Sequence, residues 1–295
     1  ESSVSKPLDY RVTFNGMTIN VPSLDKETGL SLLAIPGVKA IYPEQEYRVD
    51  LDVSHDYMGS AAMWAAAGGQ GNAGAGVKVA VLDTGIDEEH PFFDPTGFSY
   101  PPGYPKGDTR YTTEKVIVAR GYYRPDDPPA NPGPTDYDSH GTGTAGIVAG
   151  NMGTTAVISN AFSTITQTVS GVAPAAQLMN YQLFYTAVSG SGSAWNPEIL
   201  AAIEDMVIDG ADVSNNSWGG VDNLVPAVDP IGVAFQNAVN AGVAVAKSAG
   251  NDGPSYHSLG DAMPQSLIIA GGNDFGRRVG ASATVLGPGT VPVTL

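Results

Sequence analysis

Apolar and polar positions divide most of the chain into short apolar runs that alternate with amphipathic segments. The apolar runs are bounded by glycine or turn residues, which is typical of strands buried on both faces of a parallel sheet. Strands are therefore predicted at 79–82, 116–119, 178–181, 243–246 and 267–270.

Two of the amphipathic segments carry the signals of complete helices. The first starts with Asn196-Pro197-Glu198, a cap, a proline and a first-turn acid, and keeps helical spacing until Gly210. The second starts at Asp229-Pro230 and stops at Gly242. Because each helix is followed by a short loop and a strand, the pattern predicts an α/β fold with right-handed crossovers, a three-layer doubly wound parallel sheet.

Asp83 ends the strand predicted at 79–82 and is followed by Thr84 and Gly85. Side chains at the carboxyl end of a central parallel strand project into the crevice where α/β folds bind ligands, so Asp83 is a candidate for chemistry. Taken alone, Asp-Thr-Gly is more often a turn or a helix cap. Its role therefore depends on which other residues are suited to act with it.

The first 50 residues have the pattern of a small α+β unit. Strand-like alternation on both sides of Asn15-Gly16 predicts a two-residue hairpin turn. A helix is predicted at 25–33 and a strand at 38–42, and residues 44–58 are polar and extended. We therefore place a domain boundary near residue 50, with the main domain at 51–295.

Three segments lie between the predicted elements of the main domain. Residues 91–137 are rich in Pro, Tyr and Asp, which is typical of surface loop. Residues 138–150 contain four glycines, each costing about 1 kcal/mol in a helix relative to alanine, and are either loop or buried helix, without preference. The Ser/Thr-rich segment 151–170 is predicted to be an exposed insertion.

Composition excludes several classes of function. A chain of 295 residues with 42% apolar and 15% charged residues can bury a large core. Its formal net charge of −16 argues against a nucleic-acid surface, and no apolar run approaches the roughly 20 residues of a membrane span. The absence of cysteine excludes thiol catalysis and thiolate metal sites.

Four short blocks carry the other candidate residues. Three occur in the order Val81-Leu82-Asp83-Thr84-Gly85-Ile86-Asp87, Ser139-His140-Gly141-Thr142-Gly143-Thr144-Ala145-Gly146 and Ser248-Ala249-Gly250-Asn251-Asp252-Gly253-Pro254. The fourth, Asn215-Asn216-Ser217-Trp218-Gly219-Gly220, lies between the last two. The first three resemble, in the same order, the aspartate, histidine and oxyanion-asparagine motifs of the subtilisin-like serine proteases, and the fourth resembles that family's substrate-binding strand. Residues 1–50 resemble the C-terminal part of the family's inhibitory propeptide.

The resemblance implies a role for each matching residue. His140 is the general base, Asp83 orients and stabilises its imidazole, and Asn251 donates to the oxyanion. An extended peptide would pair with the chain as an added strand. The residues assigned to substrate binding are Ser217, Trp218, Gly219, Ser248, Ala249 and Gly250. The implied partners are polypeptide substrates and the chain's own propeptide as an intramolecular inhibitor, and no cofactor is implied.

One block of the family does not occur in the sequence. The family's nucleophile lies in Gly-Thr-Ser-x-Ala, which is absent from residues 1–295. We therefore expect a fragment that covers part of a propeptide and roughly the N-terminal two-thirds of a catalytic domain, ending near a protease-associated insertion. The alternatives are a degenerate subtilase that binds peptides without cutting them, and a nucleotide- or flavin-binding domain, which the missing Gly-x-Gly-x-x-Gly turn disfavours.

Charge and the propeptide resemblance also bear on location and calcium. Together with the absence of cysteine they predict a secreted zymogen. Residues 151–170 contain no Asp or Glu, and because Ca²⁺ sites usually use carboxylates, no calcium is predicted there. If the 112–138 loop binds calcium, the expected ligands are Asp126, Asp127, Asp136 and Asp138, although a solvated acidic surface is the better-supported alternative.

Overall fold

The computed structural model describes residues 9–10, 16–17, 26–40, 46–49, 59–159, 164–190, 192–220, 228–253, 259, 263–272, 282–285 and 291–294. Its elements are, in chain order, β1 (Asp9–Tyr10), β2 (Gly16–Met17), α1 (Lys26–Leu33), β3 (Glu46–Val49), α2 (Ser60–Ala66), β4 (Lys78–Asp83), β5 (Lys106–Gly107), β6 (Val116–Gly121), α3 (His140–Ala149), β7 (Thr154–Ser159), β8 (Thr164–Val169), β9 (Gln177–Gln182), β10 (Ala194–Trp195), α4 (Asn196–Asp209), β11 (Val213–Asn216), β12 (Trp218–Gly220), α5 (Pro230–Asn240), β13 (Ala244–Ser248), β14 (Ile268–Ala270), β15 (Ser282–Val285) and β16 (Val291–Thr294).

Seven strands form the central sheet, in the order β14-β13-β11-β4-β9-β6-β5. Every neighbouring pair is parallel. The chain passes from β4 through β6 and β9 on one side and then crosses to β11 and β13 on the other, so the strand order reverses beside β4. The predicted doubly wound parallel sheet is confirmed.

Alternate residues of β4 face two different apolar cores. Ala80 and Leu82 pack with the buried residues of α4 and α5 on one face of the sheet. Val79 and Val81 pack on the other face with buried residues of α3. Helices thus cover both faces, which makes three layers and explains why the strand reads as a continuous apolar run.

The two long helices follow their predicted boundaries closely. Asp229 caps α5, where its side chain accepts a hydrogen bond from the Gly232 amide. Helix α4 begins at Asn196, so Trp195 and not Asn196 occupies the cap position. Gly210 ends α4 with φ +87°, a left-handed conformation that glycine adopts without steric cost.

The N-terminal unit departs from its prediction in two places. Strands β1 and β2 pair Tyr10 with Gly16, so Gly16 lies within a strand and the predicted turn at Asn15-Gly16 is wrong. Helix α1 matches the predicted helix at 25–33, but residues 38–40 form no strand. The other residues of the predicted strands, 11–14, 18–21 and 41–42, lie outside the described residues.

Two segments of the main domain gain a definite structure. Residues 138–150 contain helix α3, which settles the choice between loop and helix. The predicted insertion at 151–170 contains the antiparallel hairpin of β7 and β8. Within the described part of the chain, no helix is long and apolar enough to span a membrane.

Lys115 is fully buried at the start of β6. Its Nζ donates to the carbonyl oxygens of Pro174 and Ala176, both at 2.7 Å, and lies 4.3 Å from the centre of the Phe98 ring. Burial lowers the pKa of Lys115 to about 7. The side chain therefore links the loop before β9 to β6. The free-energy cost of burying it depends on whether its amino group is charged.

We expect the stability contributed by Lys115 to rise with pH between about 7 and 10.5. An unfolded lysine holds its proton up to its ordinary pKa of 10.5, while the folded one releases it near a pKa of 7. Urea unfolding of the parent chain and of Lys115→Met across this pH range measures the effect as a pH-dependent difference in the free energy of unfolding. Lys78→Met, at a partly exposed ion pair with Asp212, is the control. A pH-independent difference for Lys115→Met would mean that the two carbonyls keep the ammonium charged.

Candidate active site

Asp83 is the last residue of β4 and lies at the carboxyl edge of the sheet, beside the reversal of strand order. Doubly wound folds bind ligands in the crevice at this position. Asp83 is fully buried, which is expensive for a carboxylate unless hydrogen bonds compensate. The position and the burial together favour a functional role over a turn cap.

His140 is the first residue of α3 and is buried beside Asp83. Its Nδ1 lies 2.6 Å from Asp83 Oδ1. The preceding residue, Ser139, has φ +84°, the only positive φ at a non-glycine residue in the described chain. This left-handed residue turns the chain into the helix so that the first side chain faces the sheet edge.

Two glycines allow α3 to approach the end of β4. A Cβ on Gly141 would lie 2.1 Å from the backbone oxygen of Gly85. A Cβ on Gly85 would lie 2.5 Å from the Pro134 oxygen, and its φ of +114° is also unfavourable for other residues. Any larger residue at either position would push His140 away from Asp83.

Three donors surround the Asp83 carboxylate. Oδ1 accepts from His140 and from the Thr84 amide at 2.7 Å, and Oδ2 accepts from Thr144 Oγ1 at 3.2 Å. Burial raises the pKa of Asp83, and these hydrogen bonds act in the opposite direction. The carboxylate is thus held in one orientation with its oxygens directed at the imidazole and at α3.

This arrangement fixes the protonation pattern of a neutral His140. An ionised carboxylate only accepts hydrogen bonds, so Nδ1 carries the proton and Nε2 carries the lone pair. If Nε2 takes a proton, the positive imidazolium is stabilised by the Asp83 charge at 2.6 Å. The pair is therefore suited to act as a general base and then as a general acid.

The predicted substrate strand forms β12, and a second segment of the same chain pairs with it. Strand β3 lies antiparallel between β12 and β10. The paired residues are Trp218 with Val49, Gly219 with Arg48 and Gly220 with Tyr47. The edge of β12 therefore accepts an extended strand of this chain, and pairing of a substrate peptide there stays a prediction.

The Trp218 side chain belongs to the core. It is fully buried and packs with the rings of Phe184 and Phe235, at centroid distances of 5.9 and 6.1 Å. A peptide cannot contact this side chain, so the assignment of Trp218 to substrate binding is limited to its backbone.

Comparison with known proteins identifies the family. The model of the subtilase family, peptidase S8, matches residues 74–286. The chain belongs to the subtilase family. Among its curated relatives, "Subtilisin-like protease SBT2.2" of Arabidopsis thaliana is 30% identical over 90% of this chain and 32% of its own length. "Minor extracellular protease Vpr" of Bacillus subtilis (strain 168) is 29% identical over 85% of this chain and 28% of its own length.

This subtilase chain spans about a third of the length of the curated relatives that it matches. Among solved structures, fervidolysin from Fervidobacterium pennivorans, described as a keratinolytic enzyme related to subtilisin, is 27% identical. That match covers 61% of this chain and 22% of fervidolysin, with a TM-score of 0.39.

The remaining predicted residues of the subtilase site lie at the same edge of the sheet. Ser248 ends β13, and its Oγ donates to the Trp218 carbonyl oxygen at 3.1 Å. Ala249 donates its amide to the Ala270 oxygen at 2.8 Å, Gly250 has φ +86°, and Asn251 lies exposed in the following turn. Their roles in substrate and oxyanion binding stay predictions.

Lys247 is a feature of this subtilase site that the sequence did not reveal. Its buried Nζ donates to the Trp218 carbonyl oxygen and lies 4.3 Å from the Trp218 ring centre. Because Lys247 and Ser248 both bind this carbonyl from the β13 side, the next residue, Gly219, presents its own N–H and C=O towards β3. Lys247 follows an apolar run and has no acidic neighbour in the sequence, so the sequence contains no signal that predicts this role.

The four acids suggested as calcium ligands are used differently. Asp136 accepts hydrogen bonds from Thr84 and Thr142, and Asp127 accepts one from Ser189. Asp126 forms an ion pair with Arg124 at 3.6 Å. Among the described residues, no three acids or histidines come together as a metal site. The conditional suggestion that these acids bind calcium stays a prediction. The prediction that residues 151–170 bind no calcium is not tested.

Proposed function

We propose that this chain carries the general base, its orienting acid and the oxyanion donor of a serine endopeptidase, and that the nucleophilic serine lies outside residues 1–295. The observation that carries the proposal is the 2.6 Å contact between His140 Nδ1 and Asp83 Oδ1 at the carboxyl edge of the sheet. Membership of the subtilase family supports it. The activity of the whole protein is part of the proposal, because the chain covers only part of its relatives' length.

In the proposed reaction, Nε2 of His140 takes the proton of the serine hydroxyl as its oxygen bonds to the scissile carbonyl carbon. The carbonyl electron pair moves onto the oxygen, and the Asn251 side-chain amide donates to the resulting oxyanion. The imidazolium, stabilised by Asp83, then gives its proton to the amide nitrogen as the carbon–nitrogen bond breaks. A water molecule repeats both steps on the acyl-enzyme and releases the serine.

The proposed substrates are polypeptides bound in an extended conformation along β12. The free backbone groups of a peptide would pair with Ser217 and Gly219, which supplies affinity without selecting side chains. Residues 46–49 already occupy this edge, and this pairing supports residues 1–50 as an intramolecular inhibitor. A peptidase inhibited in this way until export is consistent with a secreted zymogen, and one relative is named as an extracellular protease.

Labelling with a serine-directed fluorophosphonate tests the location of the nucleophile. The chain 1–295 is expected to remain unlabelled, because a base and an oxyanion donor without a nucleophile give little catalysis. A longer product of the same reading frame that includes a Gly-Thr-Ser-x-Ala block is expected to take up one label, at that serine. Stoichiometric labelling of any serine within 1–295 would contradict the proposal.

The same reading frame distinguishes the proposed endopeptidase from the second candidate function, which is a subtilase fold that binds peptides without cutting them. If the frame ends without such a serine and the chain binds peptides along β12, the binding module is correct.

A further inference from the structure

The Asp136 carboxylate lies between the end of β4 and the start of α3 and bonds to both. Its Oδ1 accepts from Thr84 Oγ1 at 3.0 Å and from the amides of Asp138 and Ser139 at 2.9 and 3.0 Å. Its Oδ2 accepts from the Thr142 amide at 2.8 Å and from Thr142 Oγ1 at 2.6 Å. All five hydrogen bonds place an N–H or O–H donor against a carboxylate oxygen, so Asp136 accepts in each of them.

The two hydroxyl groups extend this contact to the opposite segment. Thr84 Oγ1 gives its proton to Asp136, and its lone pair accepts the Gly141 amide of α3 at 2.7 Å. Thr142 Oγ1 also gives its proton to Asp136, and it accepts the Asp87 amide of the loop after β4 at 3.0 Å. Each segment thus holds a backbone N–H of the other. We call Asp136, Thr84 and Thr142 the carboxylate brace.

The brace surrounds the catalytic pair in sequence and in space. Thr84 follows Asp83 directly, and its amide donates to the Asp83 carboxylate. Ser139, which precedes His140, is in the left-handed conformation that sets the direction of α3, and its amide is bonded to Asp136. The brace thus reaches the pair through the backbone at Thr84 and Ser139.

We propose that Asp136 is a positioning residue that holds His140 Nδ1 against Asp83 by fixing the two threonine hydroxyls. This inference rests on the proposed function only where turnover is concerned. The distance between His140 and Asp83 is a property of the chain itself and is measurable without a nucleophile.

Asp136→Asn is the informative substitution because it keeps the shape and removes one acceptor. The amide nitrogen must face either the two donors of Thr142 or the donors of Thr84, Asp138 and Ser139, so one side of the brace is broken in either orientation. Asp126→Asn is the matched control, since it removes the same charge from an exposed carboxylate of the same loop. It is expected to behave like the parent chain.

The first measurement uses the chain 1–295 and proton NMR. The Nδ1 proton shared by His140 and Asp83 is expected to give a resonance far downfield, which vanishes in His140→Ala and so is assigned. Asp136→Asn is expected to shift that resonance upfield or to broaden it by solvent exchange, while Asp126→Asn leaves it unchanged. An unchanged resonance in folded Asp136→Asn would overturn the proposal and would leave Asp136 a structural residue.

The second measurement uses the longer, serine-containing polypeptide. Asp136→Asn is expected to lower kcat by about 10- to 100-fold with KM within about two-fold, because small misplacement of a catalytic group affects the transition state more than substrate binding. A pure stability role would lower the melting temperature and leave kcat unchanged, which would contradict the proposal. If that polypeptide shows no turnover at all, the proposed function fails while the NMR result still decides the positioning role.

Thr142→Val provides a second test in case Asp136→Asn does not fold. It removes one hydroxyl, keeps the branched shape, and is expected to change the same resonance in the same direction by a smaller amount. In the double variant with Asp136→Asn the two effects are expected to be less than additive, because both interrupt one brace. Full additivity, or no effect of Thr142→Val, would contradict the proposal.

Discussion

His140→Ala and Asp83→Asn are each expected to lower kcat of the serine-containing polypeptide by about 10⁴-fold or more, with KM within about two-fold. Alanine removes the group that we propose accepts the serine proton. Asparagine presents an amide that can donate to the ring, which then places its proton on Nε2 and loses its basic site towards the serine. Both changes act on proton position and charge in the transition state, so ground-state binding is largely preserved.

Steady-state kinetics on a peptide substrate measure both effects. His90→Ala is the matched control, because His90 is an exposed histidine whose ring accepts the Phe92 amide at 3.2 Å and lies beside the Phe93 ring, outside the sequence motif that contains Asp83. It is expected to retain parent kcat and KM. A loss of affinity without loss of turnover in His140→Ala, or an equal loss in His90→Ala, would reverse the assignment of the base.

The parallel sheet was predictable because its strands are buried on both faces. In β4, Val79 and Val81 face one core and Ala80 and Leu82 face the other. Because both faces of the strand are buried, all of these positions are apolar and form a continuous run in the sequence. The long helices were predictable for a related reason, since their proline and acid starts and glycine ends are local signals. Fold class therefore follows from local pattern.

Helix α3 and the N-terminal turn show where local pattern fails. The glycine content of α3 opposes a helix by propensity, and packing decides the outcome, because a Cβ on residue 141 would lie 2.1 Å from the backbone oxygen of Gly85. At Asn15-Gly16 the local signal for a turn is strong, yet the strands pair Tyr10 with Gly16. In α3 the close packing of the helix against the end of β4 overrides the low helix propensity of its residues.

The site divides in the same way. Asp83 and His140 were identifiable because family motifs surround them, but nothing in the sequence assigns Asp136 to the same site and not to a calcium site. Its role depends on two threonines that are 52 residues before it and 6 residues after it. For Trp218 the motif predicts pairing through the main chain, and its side chain lies in the core. Its role in substrate binding stays a prediction.

Arg48→Pro is expected to open the edge of β12 and to increase the affinity of chain 1–295 for an added peptide by on the order of 100-fold. Proline removes the Arg48 amide, and β3 is paired on both sides, where a proline is least tolerated. Gly219 faces Arg48 across the pair, so the lost amide is one that should bond to the Gly219 carbonyl. The expected increase follows from competition between the tethered strand and the added peptide. If the tethered strand has an effective concentration of about 1 mM and each binds with a dissociation constant of about 10 μM, the tethered strand lowers the apparent affinity for the added peptide by roughly 100-fold.

Fluorescence anisotropy with a labelled synthetic copy of residues 44–52 measures the change. Arg48→Ala is the matched control, because it removes the same side chain and charge but keeps the backbone amide. It is expected to bind the peptide as weakly as the parent chain, while Arg48→Pro binds it tightly. Equally tight binding by the two variants would show that the Arg48 side chain, and not the strand pairing, closes the edge of β12. Tight binding to the parent chain would show that residues 46–49 do not block β12 in solution, and the inhibitory role proposed for residues 1–50 would fail with it.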